Sequence, residues 1–152
     1  IWGPEAPNTS WGPQLEQLKK RFDPAYTVFT GYMSGEPLAQ AFASADVFAF
    51  PSLTETLGLV ALESFASGVP VVGARAGGIP FVIDDGDTGL LVDKEATPAQ
   101  WAEAFAGLLI DASRRHTMST AARAEAQRWS WRAATDTLVE YYEECINRIK
   151  PD

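Results

Sequence analysis

Apolar and polar positions alternate along the chain with two different periods. Five short apolar runs, bounded by glycine, proline or polar residues, predict β-strands. Between them, apolar residues recur at spacings of three and four, which predicts amphipathic helices. The predicted strands are residues 1–2, 26–30, 46–50, 69–74 and 89–92. Strands that alternate with helices indicate an α/β fold with a parallel sheet flanked by helices, the parallel order being inferred from the right-handed crossover rule.

The predicted helices fall into two groups. Three of them (14–22, 37–44 and 57–67) and one short helix (79–83) separate the strands, and three more (98–109, 113–128 and 131–149) form a helical C-terminal tail. Two helix ends carry local signals. Gly68 fits the position that follows a helix, and Ser130 fits the N-cap of the last helix.

Length and composition indicate one globular domain. A chain of 152 residues with 46% hydrophobic and 21% charged residues resembles ordinary folded proteins and differs from disordered or fibrous ones. The sequence opens at Ile1 in mid-pattern, and no signal-peptide pattern follows. We therefore expect residues 1–152 to form a single domain that is a fragment of a longer protein.

Charge and the rare residues exclude several classes of function. Twenty acidic against twelve basic residues give a net charge of −8, which argues against nucleic-acid binding through a basic face. An anionic ligand is still compatible, because helix N-termini bind anions through backbone N–H groups. One cysteine and one histidine exclude an internal disulfide framework and a histidine-rich metal site. Since no apolar run reaches 18 residues, we expect no membrane span.

Residues 51–72 carry the most informative chemistry. Seven residues separate Glu55 from Glu63, and the predicted helix between strands begins near Leu57, with Gly58 in its first turn. A glycine inside a helix costs about 1 kcal/mol relative to alanine. Close approach of a ligand to bare backbone is one reason to keep a glycine at that position.

The start of this helix predicts an anion site. The free N–H groups of residues 56–59 and the positive end of the helix would hold a phosphate. We expect Glu63 to lie among apolar side chains, where a lone carboxylate is costly, and two adjacent hydroxyls of a sugar would satisfy it. Glu55, on the preceding loop, would contact the group attached to the phosphate.

Each carboxylate also has a purely structural interpretation. Ser52 and Glu55 have the spacing of a capping box, so Glu55 would then only close the start of a helix. Glu63 would then bond a neighbouring backbone N–H or point to water. The spacing alone leaves both alternatives open.

The other candidates are weaker. Arg75 follows a predicted strand and would meet either a phosphate or a carboxylate, whereas His116 fits a solvated helix face and Cys145 fits packing within a helix. The glycines of residues 73–78 lack the G-x-G-x-x-G spacing of dinucleotide sites. No serine at a strand end has a histidine nearby in the sequence, which argues against a Ser-His-Asp hydrolase.

Taken together, these residues resemble the retaining GT-B glycosyltransferases of family GT4. Glu55 and Glu63 with Gly58 match the E-x7-E motif of that family. The order of the surrounding motifs agrees: Val-Phe-Thr-Gly at 28–31, Ala-Asp-Val-Phe-Ala-Phe-Pro-Ser at 45–52, Gly-Val-Pro-Val-Val at 68–72, Ala-Gly-Gly-Ile-Pro at 76–80 and Asp-Gly-Asp-Thr-Gly-Leu-Leu-Val at 85–92. Within the family, residues 52–60, 74–80 and 131–135 look most like the sulfoquinovosyl transferases.

The resemblance implies a Rossmann-like domain, the C-terminal half of a GT-B fold, and assigns roles to single residues. Glu63 would take the ribose hydroxyls, and Glu55 would contact the donor sugar near the reacting carbon. Met33 would lie where the family holds the base. Backbone N–H groups would bind the diphosphate and two glycines would edge the donor cleft; these residues are Thr56, Leu57, Gly58 and Leu59, and then Gly77 and Gly78. No metal and no other cofactor is expected.

The resemblance also implies partners. The donor would be a UDP-sugar, UDP-sulfoquinovose for the most similar subgroup, and the acceptor a lipid such as diacylglycerol, bound through an N-terminal domain that the sequence lacks. The family's basic diphosphate-binding residues would also precede the sequence. The full enzyme would associate peripherally with a membrane, chloroplast or cyanobacterial for a sulfolipid enzyme and otherwise at the cytoplasmic side. The alternatives are another GT4 transferase, for mannose or glucose, and a nucleotide-binding module inactive on its own.

Overall fold

The computed structural model describes residues 12–149, apart from the side chains of residues 12, 13 and 15. The chain divides into two compact units, residues 1–40 and residues 41–152. Within the described range, no helix is both long enough and apolar enough to span a membrane. The strand predicted at residues 1–2 lies outside the described residues.

The first unit contains α1 (Gly12–Lys19) and the start of α2 (Glu36–Ala43). The helix predicted at 14–22 therefore ends three residues early. A turn follows it, in which the N–H of Tyr26 donates to the carbonyl of Asp23 at 3.0 Å and the N–H of Ala25 donates to the Asp23 carboxylate at 2.9 Å. An aspartate that bonds the backbone two residues on is typical of a turn.

The strand predicted at residues 26–30 is wrong. These residues are irregular, with Tyr26 and Val28 exposed to 89% and 75%. Phe29 packs edge-on against Phe22, with 5.8 Å between ring centroids. A strand needs a neighbour to pair its N–H and C=O groups, and no strand forms among residues 12–40. The apolar pattern here serves a local aromatic contact instead.

A three-stranded parallel sheet is the centre of the second unit. β1 (Phe48–Phe50), β2 (Val71–Arg75) and β3 (Gly89–Asp93) lie in the order β1-β2-β3. Gly73 stands opposite Phe50 on one side and Leu91 on the other. Helix α3 (Leu59–Ala66) connects β1 to β2, and a single turn of 3-10 helix (Ile79–Phe81) lies between β2 and β3. The predicted parallel α/β fold is confirmed, with three strands in the described residues where five were expected for the whole chain.

The central strand β2 has apolar neighbours on both faces of the sheet. Val71 is fully buried in a cluster with Phe65 of α3. Val72, also fully buried, packs in a second cluster with Leu108 and Met118. Burial on both faces explains why this strand is a continuous apolar run rather than an alternating one.

The C-terminal tail consists of α4 (Pro98–Ile110), α5 (Ala112–Arg128) and α6 (Trp131–Ile149). Each begins at a capping side chain: Thr97 in a capping box with Gln100, Asp111, which accepts from the N–H of Arg114 at 2.9 Å, and Ser130, which accepts from the N–H of Ala133 at 3.2 Å. The predicted N-cap at Ser130 is confirmed. In contrast to α4 and α5, helix α6 buries none of its side chains.

Arg115 of α5 connects this helix to the end of α4. Its guanidinium donates to the carbonyls of Leu108 and Leu109 at 2.8 and 3.0 Å and lies 3.3 Å from a carboxylate oxygen of Asp46. The last carbonyls of a helix lack partners within it. One side chain of α5 therefore completes the end of α4 and contacts the segment that leads into β1.

Candidate functional site

The segment between β1 and α3 forms the candidate site, which we call the donor loop (residues 51–58). It leaves the carboxyl end of β1, where ligands bind in parallel α/β sheets. Gly58 is the N-cap residue of α3, with φ +89°, and a Cβ built on it would lie 3.2 Å from Cε1 of Phe50. The helix thus begins two residues later than predicted, and the left-handed backbone explains the glycine.

The N-terminus of α3 presents unpaired donors. The N–H of Ala61 already bonds the carbonyl of Gly58 at 2.9 Å. Within residues 12–149, the N–H groups of Thr56, Leu57, Gly58, Leu59 and Val60 donate to no other group of the protein. Such donors at a helix N-terminus suit a phosphate. The arrangement has the form that the sequence predicts, and the phosphate contact itself stays a prediction.

Gly77 and Gly78, which follow β2, lie directly against the donor loop. The N–H of Gly78 donates to the carbonyl of Glu55 at 2.7 Å. A Cβ on Gly77 would lie 2.4 Å from the carbonyl oxygen of Glu55, and a Cβ on Gly78 would lie 2.1 Å from that of Thr56. Both distances are far below van der Waals contact, so only glycine allows this approach. The two residues border the donor loop, and the position at the edge of a donor cleft that the family resemblance implies for them stays a prediction.

Glu55 lies half-buried on the donor loop. The hydroxyl of Ser52 donates to its Oε1 at 3.2 Å. A capping box instead pairs each side chain with the backbone N–H of the other residue, and α3 begins only at Leu59, with an N-cap that has no side-chain hydrogen bond. The capping interpretation of Glu55 is therefore wrong. The contact belongs to the loop, and sequence reasoning had placed Ser52 only as a cap.

Glu63 is exposed on α3, so the predicted burial among apolar side chains is wrong. The next two residues, Ser64 and Phe65, face the interior and are fully buried. Because successive residues point in different directions around a helix, Glu63 faces solvent. An exposed carboxylate does not carry the desolvation cost that would call for a ligand. Burial therefore does not support a contact between Glu63 and a sugar. The contact with the ribose hydroxyls that the family resemblance implies stays a prediction.

Met33 belongs to the first unit, where it is half-buried. It follows Gly31, which has φ +69°. Its predicted contact with the base stays a prediction.

The structure distinguishes between the interpretations of the weaker candidates, Arg75, His116 and Cys145. Arg75 pairs with the carboxylate of Asp85 at 2.5 Å, which favours the ion-pair interpretation. His116 is exposed on α5, as predicted. Cys145 is exposed, so its predicted packing is wrong: among the described residues, α6 has no buried side chain. Among the described residues, no group of three or more His, Cys, Asp or Glu side chains could hold a metal ion.

Comparisons with known proteins connect this geometry to a family. Residues 1–111 match the family model described as Glycosyl transferases group 1. The chain is 46% identical over 130 residues to Sulfoquinovosyl transferase SQD2 of Arabidopsis thaliana, which covers 84% of this chain and 25% of that protein. It is 47% identical over 113 residues to D-inositol 3-phosphate glycosyltransferase of Corynebacterium kroppenstedtii, which covers 74% of this chain and 25% of that one.

Solved structures with a similar fold include a protein bound to UDP. Anabaena HepE, solved in complex with UDP, superposes with a TM-score of 0.75 at 27% identity, over 87% of this chain and 36% of that one. The chain thus spans about a quarter of the length of the two curated relatives. Its parallel sheet with flanking helices and a C-terminal helix is the arrangement of GT-B glycosyltransferases. The chain belongs to the glycosyl transferases group 1.

Proposed function

We propose that the chain is the nucleotide-sugar-binding domain of a longer, two-domain glycosyltransferase that binds a UDP-sugar and transfers its sugar with retention at the anomeric carbon. One observation carries the proposal: five consecutive N–H groups, residues 56–60, lie at the N-terminus of α3 beside the carboxyl end of β1 and donate to no group of the part of the chain that the structure describes. Membership of the family supports it, as does the likeness to HepE, which was crystallised with UDP.

The diphosphate is assigned to the start of α3. Unpaired N–H groups and the positive end of the helix dipole attract an anion without a charged side chain. This suits a domain with a net charge of −8. The same donors stabilise the leaving diphosphate as negative charge develops on it during transfer.

The two carboxylates are assigned to the two ends of the donor. Glu63, exposed on α3, accepts hydrogen bonds from the ribose hydroxyls. Glu55, held on the donor loop, contacts the sugar beside the reacting carbon. In the transfer, the bond from the anomeric carbon to the diphosphate breaks with its electron pair on the leaving UDP. A bond to the acceptor oxygen forms on the same face, and the proton of the acceptor hydroxyl passes to an oxygen of the leaving diphosphate. No metal or other cofactor takes part in this proposal.

The donor is assigned as UDP-sulfoquinovose and the acceptor as a lipid such as diacylglycerol. The likeness to SQD2, a sulfoquinovosyl transferase, supports this choice. The comparable identity to an inositol-phosphate glycosyltransferase favours a second candidate, another group 1 transferase with a different donor sugar and a phosphorylated polyol as acceptor. In both cases the acceptor site lies in the N-terminal domain.

Titration calorimetry with UDP tests the nucleotide site, and a product assay on the full-length protein tests transfer. We expect Glu63→Ala to raise the Kd for UDP by about tenfold or more, because a hydrogen bond to a charged group contributes about 1.5–3 kcal/mol. Glu55→Ala should mainly lower kcat. Glu103→Ala, which removes an exposed carboxylate from α4, is the matched control and should change neither.

Two outcomes would contradict the proposal. Absence of UDP binding to the wild-type protein would remove the nucleotide site. Binding without transfer in the full-length protein would leave only a nucleotide-binding module. Comparing UDP-sulfoquinovose with UDP-glucose, and diacylglycerol with inositol phosphate, separates the two candidate substrates.

A further inference from the structure

Glu55 is fixed by its backbone on one side of the donor loop. Its carbonyl accepts the N–H of Gly78 at 2.7 Å, and the bare Cα of Gly77 lies against the same peptide. The backbone of Glu55 cannot shift toward β2 without colliding with this glycine pair. The main chain is therefore set, but a glutamate side chain still has three rotatable bonds beyond it.

The side chain is fixed by a different contact. Ser52 donates its hydroxyl hydrogen to Oε1 of Glu55 at 3.2 Å, and both residues are half-buried. No ion pair with Glu55 exists among residues 12–149. The Ser52 hydroxyl is thus the side-chain partner that selects one orientation of the carboxylate. A bond of this length is long for O–H···O, as hydrogen bonds in unliganded sites often are before they tighten around substrate.

A role in helix capping does not explain the contact. Helix α3 starts at Leu59, its N-cap is Gly58, and no side chain caps it. The Ser52–Glu55 pair lies entirely within the donor loop, next to the unpaired N–H groups. The contact therefore orients the carboxylate and does not begin the helix.

We propose that Ser52 is a positioning residue for the transfer reaction: its hydroxyl holds the carboxylate of Glu55 in the orientation that the donor sugar requires. The proposal rests on the proposed function, since it acts through Glu55. It predicts an effect on turnover with little effect on donor binding, because the N–H groups that would hold the diphosphate do not involve Ser52.

The test uses the full-length protein with its UDP-sugar and measures kcat, donor Kd and thermal unfolding. Ser52→Ala should lower kcat by about 10- to 100-fold, the size expected when a reacting group is misplaced, while donor Kd changes by less than about twofold. Ser52→Thr keeps the hydroxyl and should restore most of the rate. Ser113→Ala removes an exposed hydroxyl from α5, outside the donor loop, and should behave as wild type.

A double-mutant cycle shows whether the effect passes through Glu55. Ser52→Ala should add nothing to Glu55→Ala, because the carboxylate that it orients is gone. The proposal fails if the two losses multiply, if Ser52→Thr does not restore the rate, or if Ser52→Ala keeps the wild-type kcat. If Ser52→Ala keeps the wild-type kcat while Glu55→Ala lowers it, the positioning proposal fails and the proposed function stands. A wild-type protein that neither binds UDP nor transfers sugar overturns both.

Discussion

Glycine at positions 77 and 78 is required by packing, because the donor loop occupies the space of both side chains. Gly78→Ala would place a methyl group 2.1 Å from the carbonyl oxygen of Thr56 and push the donor loop away from β2. We expect the free energy of unfolding to fall by about 1–3 kcal/mol, as in other overpacked sites. UDP affinity should fall by about tenfold or more, since at least one charge-assisted hydrogen bond is lost.

Gly107 provides the matched control for this substitution. It lies within α4, and a Cβ built on it meets nothing within 4 Å. Gly107→Ala should therefore stabilise the protein by about 1 kcal/mol through helix propensity and leave UDP binding unchanged. Chemical denaturation and calorimetry measure both effects, and equal behaviour of the two variants would contradict the packing argument.

The residue scale also shows where sequence reasoning stops. The spacing of Glu55 and Glu63 predicts a candidate donor segment, but not which carboxylate is half-buried and which is exposed. That depends on where α3 begins. The left-handed Gly58 starts the helix two residues later than its apolar pattern suggests, and the space that a side chain at this position would enter borders the ring of Phe50 at the end of β1.

At the scale of elements, the junction of α4 and α5 depends on one side chain. Arg115 donates to two terminal carbonyls of α4 and pairs with Asp46. Arg115→Ala leaves the part-buried carbonyl of Leu108 without this partner, whereas water can replace the exposed bond to Leu109. We therefore expect a loss of about 1–3 kcal/mol in the free energy of unfolding. Arg115→Lys should recover only part, because an ammonium lacks the planar fork that reaches both carbonyls.

Arg114→Ala is the comparison for this position. Its side chain is exposed on the same helix, and its loss should change stability by less than about 0.5 kcal/mol. Urea denaturation measures the free energy of unfolding of each variant, and the loss should be largest for Arg115→Ala, smaller for Arg115→Lys and smallest for Arg114→Ala. A result in which Arg114→Ala and Arg115→Ala cost the same would assign the effect to charge rather than to the end of α4.

Most elements could be predicted because their patterns report local burial. The strands near 46–50, 69–74 and 89–92 and the three C-terminal helices form close to the expected bounds. Residues 26–30 carry the same apolar signal without forming a strand, because Phe29 packs on Phe22 instead. Periodicity detects apolar residues that need cover, but not whether a strand is available to pair with them.

At the scale of the molecule, α6 stands apart from the core of the sheet. None of its side chains is buried, and Trp131 is 89% exposed. We expect a chain that ends at Ser130 to unfold with a free energy within about 0.5 kcal/mol of the full 152-residue chain. Most of the stability of a protein helix comes from tertiary packing of its apolar face, and α6 buries no side chain, so far-UV circular dichroism should also show that α6 melts before the rest.

A core variant shows that the measurement is sensitive enough. Leu108→Ala empties a fully buried site against β2 and should cost about 2–5 kcal/mol. If the shortened chain loses as much free energy of unfolding as Leu108→Ala, then α6 contributes to the stability of the sheet and the prediction is wrong.

The seating of the donor loop on the two glycines has a consequence for how this domain can be rebuilt. The shape of the loop is specified partly outside it, by residues that follow the next strand. Grafting residues 51–58 alone onto another parallel sheet would transfer the chemistry without the surface that shapes it. The loop and the glycine pair form one transplantable module, and a library that varies one must vary the other with it.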